Sequence, residues 1–222
     1  MANFAIIPVK NLDVTKSRLS PLLSNSERGR FVLKMLGDVL IVTKSTPRIH
    51  QTVVVGMDSE TSRVAKSFGA VSLAEVPLGL NEAIFEATKW CAQKGAESVL
   101  ILPADIPLVT PADLSRILSL GEENAVVISP SRDGTGTNAL LLKPPNCIKL
   151  FYGPRSFERH MDEALRRKLR FCVFESSRIG LDVDTVEDLI AFVQSKAEET
   201  SAYKFLKRAG VLERLSQRNL SQ

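Results

Sequence analysis

Three carboxylates and one basic loop are the parts of this chain whose types and spacing suit chemistry. Asp105 stands between Pro103 and Pro107, directly after the aliphatic run Ser98-Val-Leu-Ile-Leu102. A short apolar run bounded by turn formers reads as a strand buried on both faces, as in parallel sheets. Prolines lack an amide donor and stop the strand, which puts Asp105 in the loop past its carboxyl end, where open α/β sheets bind ligands. Asp182 and Asp184 follow far downstream in Leu181-Asp-Val-Asp-Thr185, on the same side if that segment is extended. Hard oxygen ligands of this kind suit Mg²⁺, which takes one or two carboxylates and leaves its other positions to water and phosphate oxygens. Lys10, Lys16 and Arg18 crowd the loop after the first expected strand, a place where α/β proteins hold phosphates. Each feature also has a plainer reading: Asp105 as a turn residue, Asp184 or Thr185 as a helix cap, the cations as ordinary surface charge.

Two further segments suit anions. Arg132-Asp-Gly-Thr-Gly-Thr-Asn138 offers glycines that let the backbone curl and two threonine hydroxyls, although Asp-Gly is equally a plain turn between strands. In Tyr152-Gly-Pro-Arg-Ser-Phe157, Ser156 reads as the N-cap of a helix whose first amides are free to hold a carboxylate or phosphate.

Other chemistries are poorly served. Neither a GxGxxG nor a Walker-A pattern occurs, which argues against a nicotinamide enzyme and a P-loop NTPase. Two histidines, His50 and His160, are too few for a histidine metal site, and no serine lies in a nucleophile-elbow context. Cys91, Cys147 and Cys172 are odd in number and have no CxxC spacing, which favours a reducing cytoplasm over a disulfide framework or structural zinc. The net charge of +4 favours an anionic partner, yet 6% aromatics and no zinc or aromatic-studded basic motif give nucleic acid no handle. No apolar run is long enough to span a membrane and none reads as a signal peptide, so a soluble cytoplasmic protein is expected.

The elements that must position these residues are legible as alternating strands and helices. Strands are expected at 4–9, 51–55, 71–74, 98–102, 125–129, 138–142 and 171–174. Helices are expected at 24–43 (Ser24 as N-cap, Glu27 in its capping box), 61–68, 82–93 introduced by Pro77-Leu-Gly-Leu-Asn81, 111–120, 156–168 and 186–198, with a last amphipathic piece at 202–215. Strand–helix alternation implies a doubly wound, mostly parallel α/β sheet, Rossmann-like, and the return at 138–142 adds one antiparallel strand. The polar Glu199-Thr-Ser201 break sets off a C-terminal helical segment. Its Phe205, Leu206, Val211, Leu212 and Leu215 are expected to dock either on the same domain or on a second subunit, the latter making a homodimer.

In order along the chain, Pro8-Val-Lys10, Lys16-Ser-Arg-Leu19, Gly79-Leu-Asn81, Leu102-Pro-Ala-Asp-Ile-Pro-Leu108, Gly134-Thr-Gly-Thr-Asn138, Gly153-Pro-Arg-Ser-Phe157 and Asp182-Val-Asp-Thr185 resemble the 2-phospho-L-lactate guanylyltransferase family of coenzyme F420 biosynthesis, within the GT-A-like nucleotidyltransferases. The resemblance runs from Phe4 to Phe192 and makes residues 1–198 the nucleotidyltransferase domain and 199–222 a helical appendage. It implies transfer of GMP from GTP to the phosphate of 2-phospho-L-lactate, or of a related phospho-acid such as phosphoenolpyruvate or 3-phosphoglycerate, with release of pyrophosphate and a requirement for Mg²⁺. It further implies that Asp105, Asp182 and Asp184 hold the metal, with Lys16, Asp105 and Asp184 as the catalytic set. Pro8, Lys10, Gly79, Asn81 and Pro103 would meet the nucleotide, and Thr137, Gly153 and Ser156 would seat the acceptor. The wider superfamily carries glycine in its first loop, and residues 10–21 contain none, so placement of the triphosphate is the least defined part. Two other readings stay open: a nucleotidyltransferase for another small phosphate such as a sugar phosphate, and a non-catalytic nucleotide-binding protein of this fold.

The implied chemistry agrees with the residue types. An acceptor phosphate is already an anion at neutral pH and needs no general base. The obstacle is anion meeting anion at the α-phosphorus, which cationic groups lower by neutralisation and positioning.

Overall fold

The first strand, β1 (Asn3–Pro8), is almost wholly apolar and buried on both faces. In the computed structural model, which describes residues 2–74, 79–195 and 197–219, β1 lies inside a seven-stranded sheet. The order is β3 (Val71–Ala74), β2 (Ile49–Gly56), β1, β4 (Ser98–Ile101), β6 (Thr137–Leu142), β5 (Val126–Pro130), β7 (Phe171–Val173). β6 runs antiparallel to both β4 and β5, and every other pairing is parallel. This is the mostly parallel, doubly wound sheet that the alternation predicts.

From β1 the chain winds outward through α1 (Asn25–Ser45), β2 and α2 (Ser59–Ser67) to β3. Helix α3 (Leu80–Gln93) then carries it back to β4 on the opposite side of β1. That reversal is a topological switch point, and it leaves a crevice past the carboxyl ends of β1 and β4. Strand alternation divides the core between the two faces. Ile7, Val54, Leu100 and Val127 point to the face that α1 covers with Phe31, Met35 and Leu36. Ile6, Val53, Val55, Val99 and Ile101 point to the face that α3 covers with Ala83, Ile84 and Ala87.

Local chemistry sets the helix ends. Ser24 and Glu27 form the expected capping box, and Thr110 with Asp113 forms another at the start of α4 (Pro111–Leu120). Helix α5 (Ser156–Arg166) ends two residues earlier than the periodicity predicts, with Lys168 at φ 56° turning the chain out of the helix. The spacing predicts no helix at α6 (Ser177–Gly180), a single turn capped by Ser176 and too short to show a period. Helix α7 (Val186–Gln194) stops before residue 198. Pro77 and Leu78 lie outside the described residues.

The C-terminal segment is two helices, α8 (Ser201–Arg208) and α9 (Val211–Asn219), parted at Gly210, whose φ of +69° an ordinary residue resists. Phe205, Leu206, Val211 and Leu215 are buried in the core that includes α1, with Phe205 stacked on Phe31 at 6.3 Å. The carboxylate of Asp38 accepts the amides of Ser201 and Ala202 at 2.7 and 2.9 Å. Of the two expected placements, the apolar face of this segment takes the one within the chain. No helix of the described residues is long and apolar enough to cross a membrane.

Candidate active site

Asp105 follows β4 and Asp184 precedes α7, and backbone geometry joins their loops. The amide of Val183 donates to the carbonyl of Asp105 at 3.0 Å. The Lys16 ammonium lies between the two carboxylates, 2.5 Å from Asp105 Oδ2 and bonded also to Asp184 Oδ1. Its side chain is 5% exposed, while those of Asp105 and Asp184 are 23% and 48% exposed. Burial alone would lower the pKa of Lys16. The Asp105 and Asp184 charges outweigh it and raise the pKa above the ordinary lysine value. Burial likewise pushes Asp184 up, and the Lys16 ammonium overcomes it and brings Asp184 below the usual carboxylate range.

The loop that carries Lys16 has no glycine, and the lysine itself takes the left-handed conformation, φ 52° and ψ 38°. A non-glycine residue there is strained by roughly 1 kcal/mol or more, a cost that collects at functional sites. The loop is fastened to α1 by Arg28, whose guanidinium donates to the carbonyls of Thr15 and Leu23 and to Asn25 Oδ1.

Asp182 is held differently. Asn138, at the start of β6, donates through Nδ2 to the carbonyl of Ile179, that of Gly180 and Asp182 Oδ1, at 2.9, 3.2 and 2.9 Å. Burial first, and then the Asp105 charge, raise the pKa of Asp182. One buried ammonium thus bridges two carboxylates, a third, Asp182, feels the Asp105 charge, and Asp105 Oδ1 is buried with no hydrogen-bond partner among the described residues. An unmatched buried carboxylate oxygen within an acidic cluster is chemistry suited to a hard cation. Among the described residues no group of three or more His, Cys, Asp or Glu side chains is arranged as a ready metal cage. A cation here would need phosphate oxygens or water to complete its shell.

These residues line a cleft of about 490 Å³ at the switch point. Of the residues expected from the sequence, Pro8, Lys10, Lys16, Pro103, Asp105, Thr137, Gly153, Ser156, Asp182 and Asp184 line it together, joined by Arg18 at its basic edge. Gly79 and Asn81 do not line it, although Leu80 between them does. Asn81 is engaged elsewhere: Oδ1 accepts from the amide of Tyr152 at 2.7 Å and Nδ2 donates to its carbonyl at 2.9 Å. A larger groove of about 660 Å³, lined by Ile41, Leu108, Val109 and Leu181, lies apart and contains none of the three carboxylates. The chemistry belongs to the smaller cleft.

Ser156 is the first residue of α5 rather than its expected N-cap, a place taken by Arg155 at φ 55° with no side-chain capping bond, and at the cleft the positive end of that helix faces an incoming anion. Thr137 approaches from the start of β6, and its hydroxyl meets His160 Nδ1 at 3.1 Å. Sequence reasoning passes over Arg28, Asn138 and His160. Asn138 and His160 had one detectable sign, a polar residue placed where burial is expected: Asn138 begins an apolar strand and His160 falls one turn after Ser156.

The family described as guanylyl transferase CofC like matches residues 3–219. A phosphoenolpyruvate guanylyltransferase of Rubrobacter xylanophilus is 39% identical over 190 residues, covering 85% of this chain and 92% of the relative. A 2-phospho-L-lactate guanylyltransferase of Methanocaldococcus vulcanius is 38% identical over 207 residues, covering 93% and 90%. Among solved structures, a Desulfovibrio desulfuricans protein described as a proposed nucleotide-diphospho-sugar transferase superposes with a TM-score of 0.78 at 17% identity, over 97% of this chain and 99% of that one. At that identity the likeness shows the fold alone.

Proposed function

The chain belongs to the CofC-like guanylyl transferase family, and from that membership we propose that it moves GMP from GTP onto the phosphate of a small phosphorylated carboxylic acid, 2-phospho-L-lactate or phosphoenolpyruvate, releasing pyrophosphate, as a step of coenzyme F420 biosynthesis. The observation that carries the reading to a mechanism is the buried Lys16 ammonium bridging Asp105 and Asp184 at the switch-point cleft.

The acceptor phosphate is the nucleophile and arrives ionised, so no residue has to remove a proton. An acceptor oxygen forms a bond to the α-phosphorus of GTP as the bond from that phosphorus to the pyrophosphate oxygen breaks. Lys16 keeps a positive charge in the cleft at every pH of interest because its carboxylates hold the proton on. Lys10 and Arg18 at the cleft edge add charge toward the departing pyrophosphate. Thr137 and the first turn of α5 at Ser156 receive the acceptor's anionic groups, while Gly153, at φ +126°, brings bare backbone close to them. Mg²⁺ is part of the proposal: Asp105 and Asp184, with Asp182 beside them, would hold it, and when bound it would neutralise phosphate charge. The three unpaired cysteines accord with a reducing, cytoplasmic setting.

The test is pyrophosphate release from GTP and Mg²⁺ with a panel of acceptors. Turnover with 2-phospho-L-lactate, phosphoenolpyruvate or 3-phosphoglycerate, and none with hexose phosphates, supports the proposal. A preference for sugar phosphates, or GTP binding without turnover of any acceptor, overturns it.

A further inference from the structure

His160 is fully buried, and both of its ring nitrogens are engaged. Nε2 lies 2.8 Å from the backbone nitrogen of Phe151, which can only donate, so Nε2 is an unprotonated acceptor. A neutral imidazole then carries its proton on Nδ1. The Nδ1–H faces Thr137 Oγ1 at 3.1 Å and donates to it. The hydroxyl oxygen thus accepts from within the protein, and its own proton remains to be donated. Among the described residues the Thr137 hydroxyl has no other partner, and Thr137 lines the cleft. The same ring fixes the cleft wall: it holds Phe151 by the amide and stands edge-on to Tyr152 at 5.1 Å, while Asn81 clamps the amide and carbonyl of Tyr152. Phe151 and Tyr152 lie outside helix and strand, so these side chains supply the bonds that a ladder would otherwise give.

We propose that His160 is a positioning residue for the acceptor: through its Nδ1–H it turns the Thr137 hydroxyl proton into the cleft, making Thr137 a fixed donor to an anionic oxygen of the phospho-acid. This rests on the functional reading above and adds to it the group that sets the polarity of the acceptor pocket. An oxygen acceptor is matched at that point, and an acceptor presenting a hydroxyl or amino donor there meets a proton instead. The hydrogen bonds and ring contacts of His160 run to Thr137, Phe151 and Tyr152, and none to Lys10, Pro8 or Pro103.

The two ring nitrogens can be tested separately. Gln at this position keeps an oxygen near the place of Nε2 and gives up the Nδ1 donor, whereas Asn keeps an N–H near Nδ1 and gives up the bond to Phe151. In steady-state kinetics with the best phospho-acid, His160→Gln raises the acceptor KM about tenfold with the GTP KM within about twofold, and His160→Asn recovers most of that loss. Added to Thr137→Val, His160→Gln has little further effect, because the hydroxyl it orients is gone. Equal movement of both KM values, no movement of either, or full additivity with Thr137→Val overturns the proposal. Nitrogen-15 NMR of the wild-type protein gives a readout independent of folding in the variants: the imidazole proton is expected on Nδ1, and a proton on Nε2 overturns the proposal by itself. A wild-type enzyme that turns over no phospho-acid is the failure of the functional reading, and the proposal falls with it. An active wild type with an unaltered His160→Gln acceptor KM is the failure of the proposal alone.

Discussion

Lys16 makes the contacts by which Asp105 and Asp184 act as one group, although the three residues are far apart in sequence. Removing Lys16 leaves the Asp105 and Asp184 carboxylates close together with no ammonium between them, whereas removing either carboxylate leaves the buried ammonium one remaining partner. Lys16→Ala is expected to slow turnover about 10²-fold or more, and Asp105→Asn and Asp184→Asn each by about 10²–10⁴. The Asp105→Asn/Asp184→Asn double variant should be far from additive, because both residues act on the same charge. Near-normal turnover in both single variants would remove the cluster from the chemistry. His160 supplies a pH test. Burial first, and then the Arg159 charge, bring its pKa to about 4, against about 6.5 when unfolded. Between those values the unfolded chain binds the extra proton, so stability is complete above the unfolded value and is lost as pH falls through the window, by up to about 3 kcal/mol. Urea unfolding should show that decline in the wild type and not in His160→Gln. Glu27 and Glu163, held near 2 foremost by hydrogen bonds from Arg214 and Arg166, lose their stabilisation as pH falls from the ordinary 4.5 toward 2.

At the scale of elements, the loops of Asp105 and Asp184 are placed by contacts with no short-range signature. Asp113 is the clearest. It closes the capping box of α4 with Thr110 and also receives Arg178 through two bonds of 2.7 Å and Ser176 Oγ at 3.1 Å. It thereby ties α4 to α6, the turn that leads into Asp182 and Asp184. Asp113→Ala, at a side chain 2% exposed, is expected to cost about 3 kcal/mol in urea unfolding and to lower kcat/KM as well. A change confined to the loss of a cap, about 1 kcal/mol, with unaltered activity would separate α6 from the site. The start of α4 at residue 111 was legible in the sequence, whereas the Arg178 contact was not, since its partner lies in a single turn without periodicity. The same limit applies at the C-terminus. The apolar spacing of Phe205, Leu206, Val211 and Leu215 gave an amphipathic segment but not its partner, because the pattern is the same whether the face meets α1 or another chain. A chain ended after Glu198 is expected to lose cooperative unfolding by circular dichroism, because Phe31 and Met35 lose their cover. A truncated chain as stable as the full one would contradict the packing of α8 and α9 on α1.

For the whole molecule, the sheet order explains why the site was partly readable. Alternating strands and helices imply a switch point, and the residues just past β1 and β4 follow from the boundaries of two apolar runs. Lys10 and Asp105 were legible for that reason, whereas Pro8, the last residue of β1, and Pro103 were expected only from the family resemblance. Thr137 joins them through the antiparallel β6, which the return at 138–142 implied, whereas Ser156 at the start of α5 and Asp184 after α6 arrive by loops whose placement local spacing does not encode. Asn81 is the informative exception: the expected nucleotide contact is a clamp on Tyr152, because a side-chain amide can stand in for a strand partner. The proposed reaction joins an acceptor phosphate to the α-phosphorus of GTP in this cleft. Phosphorus-31 NMR of the wild-type protein with GTP, Mg²⁺ and 2-phospho-L-lactate or phosphoenolpyruvate reads it most directly. Inorganic pyrophosphate is expected and, in equal amount, the two coupled resonances of a mixed diphosphate joining GMP to the phospho-acid. GDP with inorganic phosphate, or unchanged GTP beside either acceptor, would contradict it.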